Sequence, residues 1–200
     1  MAILVYTESE QGKFKKIAFE LASYARSIAD ENNTTVTAVC INAESPMELQ
    51  NYGVNKVLNI SNQDLKSFNA MSYSQCVFEA AENENSNIIV ISSSADSKYL
   101  APLLAVKHNS GYISNACELP TSYSPLTVKR TAFTNKAFEI KCYDQKVPFH
   151  IFYLHFFFGA RANGKLQSVH IRYCFLCILS CVHHCGNTKR NYGSLVWWKI

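Results

Sequence analysis

The sequence predicts an α/β fold, a doubly wound and mainly parallel sheet with helices on both faces, followed by an irregular tail. Three observations predict it. Short apolar runs rich in Val, Ile and Thr alternate with longer stretches whose apolar residues recur at a helical period. The short runs are almost continuously apolar, as buried parallel strands are. The alternation continues to about residue 140, after which the composition changes abruptly.

Ala2 to Thr7 reads as the first strand. Gln11-Gly12 turns the chain, and Lys13 to Glu31 is expected to be helical, with Phe14, Ile17, Ala18, Leu21, Ala25, Ile28 and Ala29 on one stripe. Lys16 and Glu20 stand one turn apart on the other face. Thr34 to Ile41 is a second strand, its Thr and Val suited to a pleated surface. Pro46 opens a short helix that Gly53 ends. Lys56 to Ile60 is the third strand, and Asn69 or a neighbour is expected to cap a helix to about Glu84 with Tyr73, Cys76, Val77, Ala80 and Ala81 sharing a face.

Asn87 to Ile91 is a fourth strand. A helix from about Ser97 to His108 turns Leu100, Leu103 and Leu104 inward, with Gly111 as its stop. Pro102 is acceptable only near the start of that helix, where N–H groups lack partners anyway. Tyr112 to Leu119 is a fifth strand. Pro125 to Thr134 and Ala137 to Tyr143 follow as two strands joined at Asn135-Lys136. Repeated strand–helix alternation is the pattern of a sheet wound in both directions.

The net charge of +4 hides a split. Residues 1–140 hold 11 Lys and Arg against 14 Asp and Glu, whereas 141–200 hold 8 basic residues and one acid, Asp144. No basic domain exists, so a nucleic-acid partner is not expected. The N-terminus lacks a basic leader and a cleavage site, and the longest apolar runs fall short of the ~20 residues that span a bilayer. The expectation is a cytoplasmic protein without a membrane partner.

Three stretches carry a family resemblance. They are Ile3-Leu4-Val5-Tyr6-Thr7-Glu8 with the Lys-rich segment after it, the run from Ile88 through Ser92-Ser93-Ser94-Ala95-Asp96-Ser97 to Ala105, and Val128 to Phe138. In this order and spacing, over about 140 residues, they resemble the N-terminal, nucleotide-binding-like domain of the electron transfer flavoprotein alpha subunit. The resemblance implies a heterodimeric FAD-carrying electron shuttle, not an enzyme, of the kind used in fatty acid oxidation. It collects electrons from acyl-CoA-type dehydrogenases. Its partner is the beta subunit, which holds the family's AMP. It also implies that most of the FAD site belongs to a second domain, whose Gly-rich loops are missing here after Ile140. Gln145-Lys146-Val147 faintly echoes the strand leading to that domain, and everything after Pro148 departs. The domain limits are therefore expected at 1–146 for the family-like domain and 147–200 for an atypical tail rich in Cys, His and aromatics. FAD is the cofactor of the intact complex, and this chain alone is expected to bind none.

Candidate site residues are few. Ser93, Ser94 and Asp96 lie between a strand and a helix, where open α/β sheets bind ligands and helix N–H groups meet anions. A capped loop, with Asp96 or Ser97 satisfying the helix start, is the stronger reading, because no Gly-rich cradle accompanies the serines. Lys129 and Arg130 are adjacent in a strand, and strand alternation would point them to opposite faces, which argues against a joint phosphate clamp. Arg130 remains a candidate contact to a partner or second domain.

Cys174, Cys177, Cys181 and Cys185 would fall near one face of a helix, a pattern that invites zinc or an iron–sulfur cluster. A continuous helix cannot wrap its own side chains tetrahedrally round one ion, and the intervening residues are core types, so no metal site is read from them. The tail suggests instead a non-native reading frame or a lineage-specific extension. Ile151 to Phe158 fits an aggregation-prone pattern, so a chain ending near Tyr143 is expected to be more soluble. The alternative function is a stand-alone nucleotide-binding α/β module of the stress or regulatory type. No nucleophile–base pair or carboxylate pair is placed together by spacing.

Overall fold

The computed structural model describes residues 2–133, 137–143 and 150–154. Strand β1 (Ala2–Tyr6) leads through a hairpin of β2 (Ser9–Glu10) and β3 (Lys13–Phe14) into helix α1 (Lys16–Asn32). Strand β4 (Thr35–Ile41), a 3-10 helix (Pro46–Tyr52), strand β5 (Lys56–Ile60) and a 3-10 turn (Gln63–Leu65) follow. Next come helix α2 (Ala70–Asn83), β6 (Ile88–Ser92), helix α3 (Ser97–Lys107) and β7 (Gly111–Ala116). The described chain closes with β8 (Ser122–Tyr123), β9 (Leu126–Ala132), β10 (Ala137–Tyr143) and β11 (His150–Leu154).

The large sheet runs in the order β10-β9-β7-β11-β6-β1-β4-β5, with β8 on β9. From β7 to β5 every neighbouring pair is parallel, and β9 and β10 add antiparallel strands at one side. Alternating side chains sort the strands onto two cores. Ile3, Val5, Val36, Ala38, Val90, Ile113 and Phe152 pack with Leu21, Tyr24, Ala25 and Ile28 of α1. Leu4, Val39, Ile89, Ile91 and Ile151 pack with Val77 and Ala81 of α2 and Leu100 and Leu104 of α3. Helices thus cover both faces, the doubly wound α/β arrangement that the strand–helix alternation predicts. Tyr24, fully buried, satisfies its hydroxyl by donating to the Glu118 carbonyl oxygen at 2.9 Å.

Local chemistry explains most boundaries. Asn69 caps α2, its side-chain oxygen accepting from the N–H groups of Met71 and Ser72 at 3.0 and 3.2 Å. Gly53 ends the first 3-10 helix with φ +92°. Four features differ from the sequence-based expectation.

The helix expected from Lys13 begins at Lys16, because Gln11 and Gly12 both take positive φ (50° and 80°) and fold residues 9–14 into a hairpin. Helix α3 is stopped near Asn109 (φ 49°), not Gly111, which opens β7. Pro102 lies inside α3 and not in its first turn. Both Pro102 and Lys98, whose carbonyl loses its donor, are exposed, so water can take the place of the missing N–H.

The fourth difference is the largest. The expected domain limit is 146, yet β11 at residues 150–154 lies inside the sheet, parallel to β6 on one side and β7 on the other. Ile151 and Phe152 are fully buried, one in each core. The segment expected to aggregate as part of a loose tail therefore begins as an interior strand. Its apolar, aromatic composition suits a strand covered on both faces as well as it suits an aggregation motif.

Candidate functional site

Strand order reverses between β1 and β6. From β1 the chain winds through α1 to β4 and β5, and from β6 it winds the other way through α3 to β7. The C-terminal ends of these two strands define the crevice in which open α/β sheets hold ligands. The parallel register sets Val5 beside Val90, so the turn after β1 lies next to the serine-rich loop after β6.

Glu8 fills this position. It is 3% exposed, and its Oε1 accepts hydrogen bonds from the hydroxyls of Ser92, Ser94 and Ser97, the last at 2.7 Å. Its Oε2 pairs with Lys15 Nζ at 3.1 Å, and the Lys15 N–H donates to the Glu8 carbonyl at 3.1 Å. The small β2–β3 hairpin brings Lys15 back to Glu8. Burial by itself raises the carboxyl pKa, but the three hydroxyls and the ammonium outweigh it and hold Glu8 below the usual range. Burial likewise opposes the charge on Lys15, and its bond and attraction to Glu8, with Asp96 adding, leave its pKa raised.

Ser94 Oγ accepts from the Ser97 N–H at 3.1 Å and so caps α3. Asp96 is already helical (φ −66°, ψ −42°) and makes no side-chain cap bond. The expected capping by Asp96 or Ser97 is therefore corrected to Ser94, while Ser97 turns its hydroxyl to Glu8. Ser93 is half-buried beside this group. The structure places Ser93, Ser94 and Asp96 together at the crevice.

Arg130 is elsewhere. It stands on β9, three strands from β6, roughly 14 Å at ordinary strand spacing. Its Nε lies 3.5 Å from Glu139, the residue opposite it on β10. Lys129 takes a different carboxylate, Glu118 at 2.7 Å, and lies over the Phe138 ring. Cys174, Cys177, Cys181 and Cys185 lie outside the described residues. Among the described residues no cluster of three or more His, Cys, Asp or Glu is placed to hold a metal ion. Also among these residues, no helix is long and apolar enough to cross a membrane.

Sequence reasoning missed Glu8 and Lys15. The available signal was an acidic residue directly after the first apolar strand, in a fold that sets that strand beside the serine loop.

A family model described as "Electron transfer flavoprotein domain" matches residues 3–149. The chain belongs to the electron transfer flavoprotein family. The electron transfer flavoprotein subunit alpha of Bacillus subtilis (strain 168) is 29% identical over 138 residues, 68% of this chain and 42% of that protein. Protein FixB of Clostridium saccharobutylicum is 24% identical over 135 residues, 66% of this chain and 40% of its own length. The acryloyl-CoA reductase electron transfer subunit beta of Anaerotignum propionicum is 26% identical over 120 residues, 58% and 33% of the two chains. The chain spans about two fifths of the length of the first two of these curated relatives. The family's flavin is not accommodated by the described crevice. A pyrophosphate approaching the serine hydroxyls and the start of α3 would meet the Glu8 carboxylate already bound to them.

Proposed function

We propose that this chain supplies the N-terminal domain of an electron transfer flavoprotein alpha subunit and serves assembly with a beta subunit. The observation that carries this reading is the unbroken family match from the first strand to residue 149, with relatives that are themselves named as alpha subunits. In the intact heterodimer, FAD would accept electrons from acyl-CoA-type dehydrogenases, and this domain would be a scaffold and not a redox centre. Free thiols at Cys40 and Cys117, both buried, suit a reducing compartment such as the cytoplasm.

The composition change supports a reading frame that has shifted at a point beyond 149, the end of the family match. Translating the other two frames of the gene downstream of that point tests this. A Gly-rich FAD domain there is the expected result.

Co-expression with a beta subunit from the same genome tests the assembly role. A co-purifying pair is expected, and no association at tens of micromolar refutes it. The pure chain, incubated with excess FAD and desalted, is expected to be colourless. Stoichiometric flavin absorbance would overturn the scaffold reading. The alternative, a nucleotide-binding module, is disfavoured because the hydroxyls it would use are committed to Glu8.

A further inference from the structure

At the strand-order reversal, the groups that ordinarily receive a phosphate are present. A helix start stands at α3, three hydroxyls converge from Ser92, Ser94 and Ser97, and an ammonium comes from Lys15. All four side chains converge on one carboxylate, which comes from the chain itself. We propose that Glu8 is an internal anion that occupies the crevice between β1 and β6 and closes it to phosphate and to nucleotides, so that ligand refusal here is a built property of one residue. Glu8 thereby sets specificity by exclusion, combining an occupied donor set with a fixed negative charge.

Three observations support a plug over an incidental surface contact. Glu8 is almost fully buried, which leaves little of its carboxylate surface open to solvent. Its four partners come from two stretches far apart in the chain, residues 92–97 (the end of β6, the following loop and the first residue of α3) and Lys15 just before α1. The hairpin of β2 and β3 returns the chain so that Lys15 reaches Oε2 while the serines take Oε1, which leaves both carboxylate oxygens engaged. A phosphate placed on the same donors would need Glu8 either neutral or withdrawn.

The test uses the full chain and inorganic phosphate, with chloride at matched ionic strength as the control. It needs neither FAD nor a beta subunit, so its outcome is separate from that of the flavoprotein reading. Wild type is expected to show no phosphate-specific binding by calorimetry and no phosphate-specific rise in Tm. Glu8→Ala, which removes the carboxylate and leaves the serines and Lys15, is expected to bind phosphate at least tenfold more tightly than wild type. Adding Ser97→Ala is expected to cancel that gain.

If Glu8→Ala folds only in phosphate, that recovery supports the plug. If it folds in neither salt, Glu8→Ser, which retains a hydroxyl in the vacated space, carries the same measurement. Equal phosphate binding by wild type and variant overturns the proposal. So does the absence of any gain or phosphate-dependent folding in both variants.

Discussion

Replacing Phe152 with alanine is expected to destabilise the domain by about 3–5 kcal/mol, the range for truncating a buried aromatic side chain. Phe152 is 0% exposed and packs with α1 residues on the face opposite Ile151. Its strand is flanked by β6 and β7, so neighbouring backbone cannot collapse into the vacated volume without breaking two ladders. A domain of this size has ~5–15 kcal/mol of total stability, so the loss is a large fraction of it. It corresponds to a fall in Tm of roughly 10 °C. Urea unfolding followed by far-UV circular dichroism measures it as a lower midpoint at unchanged m-value. A shift under about 1 kcal/mol, well below that range, would mean that Phe152 is not a core residue and that β11 is not an interior strand. The same placement of β11 carries a second outcome. A chain cut near Tyr143 should be less soluble than one cut after Leu154, because the first lacks β11 and leaves the facing edges of β6 and β7 unpaired; this comparison is separate from the one between a chain ending near Tyr143 and the full chain.

Three further outcomes follow from named groups. Glu8 has a lowered folded-state pKa, so its contribution is present above the unfolded carboxyl value of ~4.3 and is lost as pH falls through the folded value. Acid titration of wild type against Glu8→Gln should show wild type more stable at pH 7 and the two curves converging in acid, whereas parallel curves would contradict the linkage. His108 is 6% exposed against the Phe78 ring, and burial lowers its pKa although Glu82 opposes the shift. Its neutral form suits the fold, so stability is present above ~6.5 and declines as pH falls through that value. His108→Phe should flatten the profile between about pH 7.5 and 5.5, on either side of the ordinary histidine value, and an unchanged slope there would refute the assignment. Gly53→Ala should cost more than about 1 kcal/mol in chemical denaturation, because alanine disfavours positive φ. The added Cβ would also meet Arg26 Cγ at 2.5 Å, and Arg26 is held by Asp30 and Asn55. A neutral substitution would show that the turn at Gly53 can relax.

The sequence by itself determined the elements whose information is local. Apolar runs marked β1 and β6, β-branched residues marked β4, helical periodicity marked α1 and α2, and Asn69 and Gly53 punctuated them through capping and positive φ. It also determined the family, since the matching stretches lie within contiguous strands and loops. The serine loop was legible as a helix start, but not its partner. Only the tertiary structure decided that Glu8, more than eighty residues earlier in the chain, supplies the carboxylate for Ser92, Ser94 and Ser97. Only it decided that residues 150–154 enter between two strands formed far upstream. The physical reason is common to both. Periodicity reports which faces of a segment are buried, whereas strand order and carboxylate pairing depend on which distant edges and hydroxyls the folded sheet leaves open, and no local pattern encodes that choice.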